Sequence, residues 1–486
     1  MKGLTMCSFG KTHHLFNVRA LTMAALLTLL CGCSVGPKYV KPATTVPSAF
    51  KESGNWKESQ PRENISRGDW WKVFKDDGLN ALENQVDISN QNIVAAVAQV
   101  QQARALLKGA KAAYYPTISV GVGSVQTSTG AMTTSNTSNA AYANLSWELD
   151  VWGKVRRNVE SNRSNVQASA ADLETMRLSI HATLAQDYFL LRSLDTQQQI
   201  VNETIDGYKR FLQMTKNRYN NGVASQADVM QADTQYKTTL AQGIDIGIQR
   251  AMTEHAIAIL VGKLPSVFSV PVSTAPMCPP EVPLILPSEL LERRPDIAAA
   301  ERRVQVANAQ IGVAKSAFFP SFSLSATREA VSNNWATLFS LPNQIWSIGP
   351  EAAETLFAGG AIRAQVAQAK AAYSVSVATY KQTVLTGFQD VEDNLSSVRI
   401  LEQEAAAEDE AVKAAHRSLV ISLNQYQAGT ISALDVVTAQ IAELSNRKTA
   451  LNILYNRMSS SISLIRALGG GWDVSMLPYA DNKKAK

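Results

Sequence analysis

The chain has 486 residues and carries 46 lysines and arginines against 41 aspartates and glutamates, a net charge of +5. This length allows about three domains of roughly 150 residues each. Apolar residues make up 45% and charged residues 18%, which is typical of a globular protein rather than a disordered one. A chain this close to neutral is a poor candidate for a protein that tracks nucleic-acid phosphates, so no nucleic-acid partner is expected.

Residues 1–32 have the pattern of an export signal. Basic residues precede an apolar run over residues 20–30, which is too short to cross a membrane as a helix. The run ends in Leu-Cys-Gly-Cys33, which resembles a bacterial lipobox. The resemblance implies cleavage before Cys33, a diacylglycerol and an acyl chain on this cysteine, and a lipidated extended segment over residues 33–80. No other cofactor is expected. An ordinary signal peptide with an incidental cysteine is the alternative.

The 17 prolines leave two long gaps, residues 117–264 and 351–477. Since a proline costs about 3 kcal/mol inside a helix, these gaps are where long helices can form. A glycine divides each gap, so each gap is predicted to hold a long helix and a shorter one. The predicted helices span 154–221 and 223–261 in the first gap, and 361–428 and 430–467 in the second. The long helices would reach about 100 Å at 1.5 Å per residue. Rods of this length are unlike the walls of a compact enzyme.

The two halves of the chain repeat one pattern. The spacing Tyr-x-x-Gly-x-x-Ser-x-x-Asp occurs twice, 207 residues apart. Its members are Tyr219, Gly222, Ser225 and Asp228, and then Tyr426, Gly429, Ser432 and Asp435. The sequence therefore predicts one duplicated fold, with repeats over 81–265 and 288–472, a Pro-rich linker over 266–287 and a tail over 473–486.

Each repeat contains a predicted β-hairpin, at about 117–149 and about 321–350. Apolar and polar residues alternate along these segments, and a Ser, Thr and Asn-rich stretch over 127–139 predicts a solvated loop. This pattern is typical of transmembrane β-strands, although an amphipathic hairpin on a soluble core would look similar. Because open sheet edges are not tolerated in lipid, four membrane strands would require several copies of the chain. Three copies would supply twelve strands.

The duplicated layout, the tyrosine-to-aspartate repeats, the segment Leu-Glu-Arg-Arg294-Pro-Asp-Ile and the closing Leu-Gly-Gly-Gly-Trp472 resemble TolC-like outer membrane factors. The resemblance is greatest to the lipoprotein branch that serves resistance-nodulation-division efflux pumps. It implies a mixed α+β fold of mostly long helices. It also implies a homotrimer with a 12-stranded barrel in the outer membrane lipid, set on a periplasmic α-helical barrel. Drugs or other toxic small molecules would pass through it passively, and a periplasmic adaptor and an inner membrane pump would be its partners.

The ends of the paired helices are the candidate site. Gly222 and Gly429 are predicted to end one helix in a left-handed conformation, while a serine and an aspartate cap the next. The family resemblance adds a second role, because these loops would form the periplasmic end of the tunnel. There, carboxylates and tyrosines would constrict the pore or contact the adaptor. The candidate residues are Tyr219, Gly222, Ser225, Asp228, Tyr426, Gly429, Ser432 and Asp435.

No residue pattern indicates catalysis or a metal site, so we expect a protein that is not an enzyme. An acidic run on the second long helix, residues 402–410, predicts a solvated helix face rather than a metal cluster. Trp70 and Trp71 are predicted to anchor the N-terminal segment in the body of the protein. Three alternatives stay open, namely a type I protein secretion duct, a periplasmic adaptor lipoprotein and an anchored hydrolase.

Overall fold

A computed structural model describes residues 34–44, 46–53, 69–128, 135–280 and 291–479. The predicted export signal, Cys33 and the end of the predicted linker lie outside these residues. The described chain divides into two compact units. The first contains residues 34–42, Gln101–Ala168 and Ala300–Tyr380, and the second contains the described parts of 43–100, Ser169–Ala299 and 381–479.

Seven helices of more than ten residues lie within the described ranges. They are α1 (Asp77–Ser89), α2 (Gln91–Ala112), α3 (Lys154–Asn220), α4 (Gln226–Leu260), α5 (Pro295–Ser316), α6 (Ala361–Ala428) and α7 (Ala433–Ala467). The two longest, α3 and α6, have 67 and 68 residues and match the rods expected from the proline gaps. The shorter helices α4 and α7 begin three residues later than the glycine positions suggest, because a capping serine precedes each of them.

Four antiparallel strands form a single sheet in the order β1-β2-β3-β4. Their bounds are β1 (Thr117–Ser128), β2 (Ser135–Leu149), β3 (Ser321–Ser332) and β4 (Gln344–Ala353). The sequence predicted two hairpins, and the pairing of β2 with β3 joins them. The loop predicted over 127–139 is shorter than expected, since Ser128 already pairs with Ser135. The strands pair there through backbone hydrogen bonds, which do not depend on the side chains, so a run of polar residues does not end the strands.

The register of the sheet separates an apolar face from a polar face. One row across the four strands consists of Ile118, Leu145, Ala326 and Ile348. The next row consists of Ser119, Asn144, Thr327 and Ser347. The alternation predicted from the sequence is therefore confirmed. The apolar row is uncovered in the single chain, with Ile118 69% exposed and Ile348 64% exposed.

The core of the second unit contains Trp70 and Trp71, near the end of the predicted N-terminal segment. Trp70 and Trp71 are 2% and 3% exposed, which confirms their predicted anchoring role. The ring of Trp71 stacks on His181 at a centroid distance of 4.5 Å. His181 Nδ1 lies 2.6 Å from a carboxylate oxygen of Glu83, a residue with no exposed surface, and its Nε2 lies 3.6 Å from Asp87. The two carboxylates raise the pKa of His181 to about 9, against the opposing effect of burial.

Two motifs of the sequence pack on each other in the same unit. Arg294 donates to both oxygens of Asp296, to Asp390 at 3.0 Å and to the carbonyl oxygen of Ala467. Gly469 has a φ of +92°, and a Cβ added there would lie 2.0 Å from the carbonyl oxygen of the residue before Arg294. The segment around Arg294 and the closing glycines therefore pack directly on each other, and each helps to fix the position of the other.

Candidate functional site

The turn between α3 and α4 forms the first hairpin tip. Gly222 ends α3 with a φ of +74°, a backbone conformation that glycine adopts without steric cost. The Ser225 hydroxyl accepts a hydrogen bond from the Asp228 amide at 3.2 Å. In return, the Asp228 carboxylate accepts hydrogen bonds from the amide and from the hydroxyl of Ser225, both at 2.9 Å. This reciprocal arrangement is a capping box, as predicted. All carboxylate contacts in the box use Oδ2 of Asp228, so its Oδ1 is left for other partners.

The turn between α6 and α7 forms the second hairpin tip with the same geometry. Gly429 has a φ of +78°, and Ser432 and Asp435 form the second capping box. Asp435 Oδ2 accepts the Ser432 amide at 2.9 Å and the Ser432 hydroxyl at 2.7 Å. These hydrogen bonds stabilise the ionised form, so the pKa of Asp435 is lowered from its ordinary value.

The two tips are joined by Arg218 and Tyr426. The Arg218 guanidinium carbon lies 4.5 Å from the centroid of the Tyr426 ring, and the guanidinium also donates to the carbonyl oxygen of Tyr426. The tyrosine hydroxyl lies 3.3 Å from Thr215 Oγ1, and its ring packs 5.3 Å from that of Phe211. A side chain of the second tip is therefore held among residues of α3, within a small apolar cluster that also contains Val229 and Val436.

The structure separates the two candidate tyrosines. Tyr219 is 44% exposed, while Tyr426 is 3% exposed. The expectation that Tyr426 reaches into a pore or contacts a partner is therefore wrong for this conformation, because its ring is covered by Arg218 and Phe211. Tyr219, Asp228 and Asp435 remain at the surface of the tips and stay available for such contacts.

The sequence does not mark Arg218 as a site residue, because it lies outside the motif that the two repeats share. The position that corresponds to Arg218 in the second repeat is Gln425, and the position that corresponds to Phe211 is Ser418. These differences between the repeats are the signal that marks both residues. The duplicated serines and aspartates form the caps, whereas Arg218 and Phe211, which the second repeat does not copy, hold the duplicated Tyr426 and so join one tip to the other.

The polar face of the sheet carries acidic side chains. Glu148 lies opposite Ser323, which lies opposite Glu351, and Glu329 lies opposite Tyr142 further along the strands. Glu148 is bound to Lys154 at 2.9 Å, while Glu329 and Glu351 form no ion pair with any residue of the described ranges. Strands β1 and β4 each have one edge that no strand among the described residues covers.

Among the described residues, no three His, Cys, Asp or Glu side chains are grouped as a metal site would require. The acidic residues on α6 instead lie along its surface, and Glu410 pairs with Lys413 at 2.7 Å. None of the helices in this part of the chain combines the length and apolarity needed to cross a membrane.

Comparison with known proteins agrees with this layout. A family model described as outer membrane efflux protein matches residues 82–263 and 286–470, close to the two predicted repeats. The chain belongs to the outer membrane efflux protein family. As a member of this family, the protein is an outer membrane channel of a tripartite efflux system, and such a system includes a periplasmic adaptor and an inner membrane pump.

Individual relatives are similar over nearly their full length. The cation efflux system protein CusC of Escherichia coli O6:H1 is 29% identical over 448 residues, which cover 91% of this chain and 96% of CusC. The probable outer membrane lipoprotein SilC of Salmonella typhimurium is 27% identical, with coverage of 94% and 100%. The solved structure of the outer-membrane channel OprN is 27% identical, has a TM-score of 0.82 and covers 90% of this chain and all of OprN. The OprN structure shares the fold described above over nearly its whole length.

Proposed function

We propose that three copies of the chain close a 12-stranded barrel in the outer membrane and form a passive exit duct for small toxic molecules. The observation that carries this proposal is the four-stranded sheet, which has an exposed apolar face, a polar face and two uncovered edges. Each uncovered edge presents unpaired backbone groups, which lipid does not tolerate. Pairing of β4 with β1 of the next copy removes both edges.

The number of copies follows from the width that a duct needs. Two copies would give eight strands, and the interior of an eight-stranded barrel is just wide enough to be filled by side chains. Three copies give twelve strands, an even number within the range of bacterial outer membrane barrels. The polar row of Ser119, Asn144, Thr327 and Ser347 would then face the interior, and the apolar row would face lipid.

The hairpin tips are proposed to be the gate or the adaptor-docking surface. The two tips of each chain present Tyr219, Asp228 and Asp435 to solvent, and three copies would bring six carboxylates to one opening. Like charges repel at short range, so these carboxylates also need partners when the opening is narrow. Residues of the adaptor or of the neighbouring tips would supply them.

The test of the gate is single-channel conductance in planar bilayers. We expect a small conductance for the wild-type protein and a larger one for Asp228→Asn/Asp435→Asn, which removes charge and keeps the side-chain shape. The matched control is Ser225→Ala/Ser432→Ala, which weakens the same caps by about 1 kcal/mol each and keeps both carboxylates. An equal rise in conductance in both variants would mean that the aspartates act only as helix caps and do not narrow the pore by their charge. A water-soluble monomer without channels would overturn the duct itself.

Two further parts of the proposal concern the anchor and the partners. Cys33 is proposed to carry a diacylglycerol and an acyl chain, supported by the lipobox-like sequence and by the name of the relative SilC. Mass spectrometry of the mature N-terminus checks this, and Cys33→Ala should leave the chain unprocessed.

The pump partner is proposed to be of the resistance-nodulation-division class. Crosslinking of the tips in cells, followed by identification of the captured adaptor, tests this assignment.

A further inference from the structure

We infer that a basic cleft at the helix-side end of the sheet binds the phosphate group of an anionic phospholipid. The cleft has a volume of about 650 Å³ and is lined by Val35, Lys315, Phe318, Phe319, Arg363 and Lys370. The inference rests on the outer membrane location of the protein and goes beyond its role as a duct. It assigns to the chain a lipid site separate from the proposed anchor on Cys33.

The cleft opens on the lipid-facing side of the sheet. Phe322 belongs to the apolar face, because it lies opposite Leu149 in the register. The Trp152 ring packs 6.5 Å from Phe322 and stacks on Phe319 at 4.8 Å, and its indole nitrogen donates to the Pro320 carbonyl oxygen. Phe319 therefore lies on the apolar side, where it lines the cleft. Aromatic residues at the ends of membrane strands lie at the depth of the lipid headgroups.

The position in the chain assigns the cleft to the periplasmic leaflet. Lys315 lies in the last turn of α5, the helix that precedes β3, and Arg363 lies in the first turn of α6, the helix that follows β4. The long helices of this family of channels are periplasmic, so the strand ends that continue into them lie at the inner surface of the outer membrane. The available headgroups there are those of phospholipids.

The cleft combines three positive charges with an apolar floor. Arg363 and Lys370 are seven residues apart on α6, about two turns, so both side chains lie on one face of the helix. No carboxylate lines the cleft, and none of its three cations forms an ion pair with a residue in the described part of the chain. A phosphate would neutralise this charge, and Phe318 would lie beside the acyl chains. Clusters of basic residues beside membranes attract anionic lipids in this way.

The first repeat shows how the chain can neutralise such a site. Arg156 corresponds to Arg363 and is bound to Asp150 at 3.1 Å, and the same carboxylate accepts the amides of Val155 and Arg156. The position that corresponds to Asp150 in the second repeat is Phe357, which is 89% exposed. The repeat that carries the basic cleft therefore has an apolar side chain where the first repeat has an internal acid. An external anion fits this difference.

The experiment measures lipid retention by the purified full-length protein with native mass spectrometry. The delipidated protein is mixed with phosphatidylglycerol, with phosphatidylcholine or with inorganic phosphate. We expect retention of phosphatidylglycerol over phosphatidylcholine, and a loss of about 10- to 100-fold in Lys315→Gln/Arg363→Gln/Lys370→Gln. The control Lys209→Gln/Arg210→Gln/Lys216→Gln removes the same three charges from an exposed stretch of α3 and should retain the lipid.

Further outcomes decide the proposal. Equal losses in both triple variants, or equal retention of the two lipids, would overturn the site. Binding of inorganic phosphate without phosphatidylglycerol would leave an anion site and overturn the lipid occupant. Phe357→Asp should reproduce the loss by recreating the internal pair of the first repeat, and it keeps all three cations in case the triple variant fails to fold. Conductance is measured in parallel, so that loss of the channel and loss of the lipid are scored separately.

Discussion

The guanidinium of Arg218 covers the ring of Tyr426 at 4.5 Å and also bonds to the carbonyl oxygen of the same tyrosine. Arg218 lies near the end of α3 and Tyr426 near the end of α6, so this contact fixes one hairpin tip against the other. The carbonyl oxygens of the last turn of a helix have no partner within the helix. The Tyr426 carbonyl accepts the Gly429 amide at 3.0 Å, and Arg218 adds a second donor to it from a different repeat.

Arg218→Ala is expected to loosen the second tip. A cation–π contact contributes about 0.5–2 kcal/mol and a hydrogen bond from a charged donor about 1.5–3 kcal/mol, so the loss is large enough to change the position of the tip. We expect a higher or noisier single-channel conductance than in the wild type. The control is Gln425→Ala, at the matching and exposed position of the second repeat. Similar conductance in both variants and the wild type would show that the contact does not hold the tip.

The predictable part of the tips was the part that depends on local chemistry. A glycine followed three residues later by Ser and then by Asp fixes a turn and a cap through contacts within a few residues. The sequence therefore placed Gly222, Ser225 and Asp228 correctly. The partner of Tyr426 lies 208 residues away, and no local pattern marks Arg218 as that partner. Long-range packing decides such pairs.

In the sheet, too, the sequence predicted the local features and missed the long-range pairing. Alternation gave the faces of the strands, since side chains of a strand point to opposite sides in turn. It did not give the pairing of β2 with β3, because strand order depends on how the helices before and after each hairpin pack. It also ended β1 too early and began β2 too late, since runs of Ser, Thr and Asn in a strand resemble a loop.

Alanine at two glycines should change stability in opposite directions. Gly222 has a φ of +74° and no neighbour within 4 Å of an added Cβ, so Gly222→Ala introduces only backbone strain. The expected cost is about 1–2 kcal/mol. Gly247 lies inside α4, also without a close neighbour, and Gly247→Ala should stabilise the helix by about 0.5–1 kcal/mol. Thermal unfolding followed by circular dichroism in detergent measures both, and a stabilising Gly222→Ala would contradict the left-handed turn.

The His181 site predicts a pH-dependent stability. The folded-state pKa of His181 is raised to about 9 from an ordinary value of 6.5. Protons are therefore bound more tightly by the folded protein, and this contribution is complete below about pH 6.5 and is lost as the pH rises through about 9. The unfolding midpoint of the wild type should fall across this window. His181→Gln should flatten the fall.

The neighbouring carboxylate provides the control for that measurement. Glu83→Gln keeps a hydrogen-bond acceptor near His181 but removes the buried charge, and we expect a lower unfolding midpoint at pH 7 and a weaker pH dependence above it. Glu410→Gln removes an exposed carboxylate that pairs with Lys413 and should leave both quantities close to the wild type. An unchanged slope in His181→Gln would mean that other groups titrate in this range.

The polar face of the sheet predicts the ion preference of the open barrel. Glu329 and Glu351 lie on this face without an ion pair to any described residue, so three copies in the proposed barrel would place six negative charges in its interior. We expect Glu329→Gln/Glu351→Gln to lower the permeability of cations relative to anions, measured as the reversal potential in asymmetric potassium chloride. The control Glu148→Gln/Lys154→Gln removes an ion pair of 2.9 Å from the same end of the sheet and leaves the net charge unchanged. If the control shifts the reversal potential as much as the acidic pair does, or if neither variant shifts it, the polar face does not line the conducting path.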